Sequence, residues 1–94
     1  MPTLLIRHRV EDYVTWKVAF DQHASTRRAN GSRGGHLFRN AAEPNDVVIL
    51  LAWHGLERAR LFVDSDDLRE TMMRAGVAGY PEIWFLEDLE CLAV

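Results

Sequence analysis

Four histidines, at positions 8, 23, 36 and 54, are the side chains of this sequence best suited to moving protons near neutral pH. His8 stands in "TLLIRHRV" between Arg7 and Arg9. His23 closes "EDYVTWKVAFDQHAST", where Tyr13, Trp16, Phe20 and His23 recur at spacings of three and four. His54 follows the apolar run "VVILLAW". Arg7, Arg9 and Arg39 alternate with apolar residues, and a guanidinium can hold a carboxylate or an enolate through two hydrogen bonds. Together these types suit proton transfer on a substrate that passes through an anion, with His8, His23 or His54 as proton-transfer group and Arg39 facing the anion. Trp16, Phe20, Trp53 and Met72 are candidate walls for a flat apolar substrate, and Tyr80, in a glycine-bounded segment, is a candidate for the pocket mouth.

Each candidate has a plainer reading. A histidine in mid-strand is a core residue when a neighbour satisfies its nitrogens. The arginines can pair with Glu82, Glu87 or Asp88. Trp53 and Trp84 can be core or dimer contacts, and Tyr80 an exposed loop residue. His8, His36 and His54 invite a metal, but no His-x-His or His-x-x-x-His spacing supports one, so neither metal nor cofactor is expected. "GSRGG" neither follows a clear strand nor opens a helix, which argues against a phosphate loop. Lys17 lies one position off the stripe and reads as a solvated stem. Asp66 and Asp67 read as helix-start residues, and Cys91 as packing.

These side chains need elements to position them. In 3–10, Leu4, Ile6, His8 and Val10 share one strand face, and Leu5, Arg7 and Arg9 the other. Asp12 can cap a helix running from Tyr13 to Ala29, and Asn30-Gly31 can end it. Segments 34–41 and 47–54 read as strands joined by the turn "AEPND". Helices are expected over 56–65, with Leu56, Ala59, Phe62 and Val63 inward, and over 65–77, striped by Leu68, Met72 and Ala75. Gly76, Gly79 and Pro81 precede a last strand over 82–92. The order βαββααβ in one domain over 1–94 predicts an α+β ferredoxin-like fold with a four-stranded antiparallel sheet. Its helix-free face would be apolar, which predicts a homodimer packed through the sheet.

Bulk properties narrow the function classes. The chain has 94 residues and a formal net charge of −3, with no basic block, which argues against a nucleic-acid partner. "TLLI" is too short for a signal peptide or a membrane span. One cysteine excludes an intrachain disulfide framework and fits a reducing, cytoplasmic setting.

The segments "RHRVEDYVTWKVAFDQH", "GGHLFRN", "VVILLAWH" and "FVDSDDLRETMMRAGVAGYPEIWFLE" resemble small proteins of the dimeric α+β barrel superfamily. That group includes antibiotic-biosynthesis-monooxygenase-like proteins and polyketide cyclases of ferredoxin-like fold. The resemblance implies two subunits whose sheets form a barrel, each with a pocket for a small hydrophobic or aromatic ligand. It implies a cofactor-independent cyclase or monooxygenase, or else a non-catalytic binding or structural homodimer. Haem-degrading members carry an asparagine on the first strand, where this chain reads Arg7-His8-Arg9, so haem degradation is not carried over.

Overall fold

The computed structural model describes residues 1–94 and consists of one sheet with four helices on one face. The elements are β1 (Thr3–Val10), α1 (Tyr13–Gln22), α2 (Ala24–Asn30), β2 (Ser32–Arg39), β3 (Asp46–Trp53), α3 (Leu56–Val63), α4 (Asp66–Arg74) and β4 (Val77–Leu86). The sheet is antiparallel in the order β2-β3-β1-β4, which is the ferredoxin-like α+β arrangement. No helix is long and apolar enough to cross a membrane.

Alternation along the two central strands explains the layering. Leu4, Ile6, His8 and Val10 of β1 and Val47, Ile49, Leu51 and Trp53 of β3 are all buried under the helices. Register places Leu4 opposite Leu51 and Ile6 opposite Ile49, so the core is one continuous patch. Trp16, Ala59, Phe62 and Leu68 cover it from α1, α3 and α4.

The helix ends follow local chemistry. The Asp12 carboxylate accepts from the Thr15 amide at 3.0 Å, and the Ser65 hydroxyl accepts from Leu68 at 3.2 Å. Gly31 ends α2 in the left-handed region, at φ 118°.

Several boundaries differ from those the sequence suggests, α3 and α4 among them, which end at Val63 and Arg74. The expected helix over 13–29 is two helices, α1 and α2, broken at His23. No glycine or proline causes the break. The guanidinium of Arg27 donates to the Phe20 carbonyl at 2.7 Å, and a side chain inserted into the helical ladder bends it. The second strand begins at Ser32 rather than 34 and ends at Arg39.

The last strand is Val77–Leu86, not 82–92. Gly76, at φ 80°, turns the chain straight from α4 onto β1, where Val77 meets Val10. Gly79, Tyr80 and Pro81 bulge out opposite His8, a place where an edge strand tolerates proline. Pairing stops at Leu86 because its partner, Thr3, begins β1. Cys91 therefore lies beyond the strand and is exposed rather than packed. Leu56, expected inward, is largely exposed, whereas Ala59 and Phe62 are buried as their spacing suggests.

Candidate functional site

The stripe on α1 and α2 meets the sheet beneath it around a small cavity of about 40 Å³. Trp16 stacks on Phe20 with ring centroids 4.9 Å apart and meets His8 edge-on at 5.6 Å. His23 and Arg27 continue the stripe, and Met72 and Thr71 close the cavity from α4. The volume accommodates a water molecule or one polar group of a ligand.

His8 is the anomaly here. It is 5% exposed, and neither ring nitrogen has a hydrogen-bond partner among the protein's own groups. Buried polar side chains are nearly always bonded, and an unmet one costs about 1–3 kcal/mol. Burial depresses its pKa from 6.5 to about 4, with Asp46 opposing the shift. At neutral pH His8 is therefore an uncharged imidazole offering one donor and one acceptor.

Next to the cavity, a groove of about 480 Å³ opens to solvent between α2 and β2. The groove and the cavity share Phe20, Arg27, Ile49 and Leu51, so only side chains separate them. Arg27, Arg28 and Arg33 line the groove, and no carboxylate does. At this shared wall the Arg27 guanidinium lies 3.7 Å above the Phe20 ring, and desolvation lowers its pKa against the pull of Asp21. A partly desolvated cation without an ion-pair partner, at the throat of a pocket, is suited to bind an anionic oxygen. On the far side, Leu68 and Met72 separate the cavity from an apolar groove of about 390 Å³ along α4 and β4.

The structure brings His8, His23, Trp16, Phe20 and Met72 together around one cavity. Four candidates lie elsewhere. Trp53, expected as a ligand wall, is fully buried against Phe62 at 4.9 Å and lines neither the cavity nor the arginine groove, because α3 covers it. His54 follows the end of β3 and is exposed, its Nδ1 accepting from Arg33 at 3.3 Å. Arg39 lies over the Tyr13 ring at 4.8 Å, outside the cavity. Tyr80 is 99% exposed and lines the outer α4–β4 groove.

Arg7 takes the structural role, donating to Asp46 at 2.9 Å and pairing with Glu82 at 3.5 Å. Lys17 pairs with Asp21 on the exposed surface at 2.6 Å. His36 faces the helix-free side of the sheet opposite Leu50, away from His54. No three His, Cys, Asp or Glu side chains converge as a metal site would require.

Sequence reasoning missed Arg27, Arg33 and Asp67. Arg27 was legible, since it extends the stripe from His23 by four residues. Asp67 was not, because its partner His23 is 44 positions away.

No protein-family model matches this sequence, and no curated protein matches it. Solved structures do match its fold. One is a Bordetella bronchiseptica protein provisionally described as an antibiotic biosynthesis monooxygenase, with TM-score 0.78, 17% identity, and coverage of 95% of this chain and 97% of that one. Another is SnoaB, a cofactor-independent oxygenase from Streptomyces nogalater, with TM-score 0.78, 16% identity, and coverage of 97% and 95%. A third, from Caulobacter crescentus and provisionally described like the first, gives TM-score 0.74, 18% identity, and coverage of 95% and 90%. These neighbours are antibiotic-biosynthesis-monooxygenase-like proteins, the group whose fold the sequence resembles. At such identities the likeness is one of fold.

Proposed function

We propose that this protein binds a small aromatic molecule carrying an acidic hydroxyl between its sheet and helices, and oxidises it with dioxygen without a cofactor. His8 carries the reading: a neutral imidazole whose nitrogens have no partner within the protein, edge-on to Trp16 in a cavity that only side chains separate from an arginine-lined groove. The ring would lie in the groove with its hydroxyl entering the inner cavity beside Phe20, His8 would hydrogen-bond that oxygen, and Arg27 would oppose the negative charge of the ionised substrate. An electron-rich phenolate or enolate can react with dioxygen directly; one oxygen atom enters the ring and the other leaves as water. The fold likeness to SnoaB supports this reaction type over ring closure.

An oxygen electrode tests the reading, using chelator-treated protein and a panel of hydroxynaphthalenes and hydroxyanthracenes. At least one should be consumed with equimolar dioxygen. Arg27→Ala should lower kcat/KM about 100-fold, the order lost with one preorganised charge-stabilising group. Ring-closed product without oxygen uptake would indicate a cyclase instead. Tight binding with neither outcome would leave a non-catalytic binding protein, a reading favoured by the small size of the inner cavity.

We further propose that the protein is a homodimer through the open sheet face, in a reducing cytoplasmic setting. Leu5 and Leu50 are half-buried there, while Phe38 and Trp84 are 51% and 58% exposed. A second copy covers this patch with an equally apolar one. Light scattering should give a dimer mass at micromolar concentration, and Trp84→Glu should weaken dimerisation about 100-fold or more. A wild-type monomer would remove the proposal.

A further inference from the structure

We infer that His23 and Asp67 form a proton-accepting pair serving the inner cavity, with His23 as the acceptor and Asp67 as its positioning residue. This rests on the cleft binding a hydroxyaromatic molecule.

His23 sits at the break between α1 and α2, 8% exposed, and lines the cavity. Its Nε2 lies 2.6 Å from Oδ2 of Asp67, in the first turn of α4. A carboxylate only accepts, so Nε2 donates, and in the neutral imidazole Nδ1 carries the lone pair. That carboxylate stabilises the imidazolium formed when Nδ1 takes a proton.

His8 is the contrast. It shares the cavity but has no hydrogen-bonded carboxylate, and it stays neutral. Two imidazoles in one site with opposite surroundings divide the work: one accepts the proton, the other offers neutral hydrogen bonds.

The charged and titratable groups around His23 come from three elements. Asp67 faces it from α4, Arg27 lines the same cavity from α2, and His8 does so from β1. From α3 the Phe62 ring approaches it, with centroids 6.0 Å apart. In the step, the O–H bond of the bound hydroxyaromatic breaks and its proton bonds to Nδ1 of His23. The electron pair stays on oxygen, giving a phenolate within reach of the Arg27 cation. The break in the helix serves this arrangement, since the Arg27 side chain bonds the Phe20 carbonyl there while its guanidinium stays at the throat.

The probe is 4-nitro-1-naphthol, whose ionised form absorbs visible light. It is bound to wild type, His23→Gln, Asp67→Asn and, as a surface control, Asp66→Asn, and the visible band is titrated with pH. Removing His23 should raise the midpoint of the bound probe by about one pH unit or more, a tenfold change in its ionisation. Asp67→Asn should raise it in the same direction by a smaller amount, and Asp66→Asn should leave it in place. Thermal melts accompany each variant. Asp67 is a half-exposed side chain, so Asp67→Asn keeps the fold and decides the matter should His23→Gln misfold. Binding with an unmoved midpoint in the variants overturns the inference alone. No spectral change with wild type overturns the cleft as a hydroxyaromatic site, and the inference with it.

Discussion

Replacing Gly35 by alanine should lower the melting temperature by about 15 °C, the largest effect expected of any single added methyl group in this chain. Gly35 pairs with Leu51 just past a bulge, where Ser32 to Gly35 on β2 spans only Trp53 to Leu51 on β3. A Cβ at Gly35 would lie 1.7 Å from the Leu50 carbonyl oxygen. That neighbour is backbone held in the sheet, so the strands must separate or the bulge must move. Overpacking of this kind costs about 3 kcal/mol. Gly34 is the internal control. Its φ of 85° strains any side chain, but a Cβ there meets open space, so Gly34→Ala should cost only about 1 kcal/mol. Both glycines line the arginine groove, so a shift of β2 would also reshape the entrance. A Gly35→Ala protein melting within 5 °C of wild type would show that the close approach is absent.

The parts of the fold visible in the sequence are those set by nearby residues. Alternation from Leu4 to Val10 grouped the residues of one face, the apolar run from Val47 to Trp53 marked a strand without saying which face is buried, and Asp12, Ser65 and Gly31 marked helix ends through contacts within three or four positions. The break at His23 depends instead on a side chain folding back seven residues, from Arg27 to the Phe20 carbonyl. Spacing of the stripe carries no trace of it. Gly79-Tyr80-Pro81 reads as a loop because its composition is that of a loop, yet it is a bulge inside β4. Only the pairing of Val77 with Val10 and Glu82 with Arg7 on either side shows this.

The site divides in the same way. The 3–4 spacing of Trp16, Phe20 and His23 placed them on one wall, and period two grouped His8 with Leu4, Ile6 and Val10, while only the packing of α1 on that face puts His8 beneath the wall. Trp53 shares that sheet face, but α3 seals it, and the packing of a helix across a strand is a tertiary fact. Asp67 carries two roles, first-turn acid and partner of His23, and only the first is local.

Acid should destabilise this protein earlier than a carboxylate-driven unfolding would, and His8 is the reason. Its folded-state pKa of about 4 lies below the ordinary 6.5, so between these values the unfolded chain binds a proton that the native state refuses. Stability is then complete above about pH 6.5, falls as pH drops, and has lost about 3 kcal/mol by pH 4. Asp46 adds a later loss. Its hydrogen bonds from Arg7 and Asn40 hold it down at about 2, so its contribution disappears only as pH falls below the ordinary carboxylate range. Substituting His8 by phenylalanine separates the two windows. The ring keeps its edge contact with Trp16, fills the adjoining small cavity and leaves no orphaned nitrogen. Urea titrations from pH 7 to 4 should show wild type losing about 3 kcal/mol and His8→Phe nearly none, with the variant the more stable at neutral pH by about 1 kcal/mol or more. A core histidine with satisfied nitrogens would give the opposite result at pH 7. If His8 also holds the ligand, His8→Phe will bind hydroxynaphthalenes at least tenfold more weakly while resisting urea better, the loss of one polar contact. Greater stability with unchanged binding would remove His8 from the site.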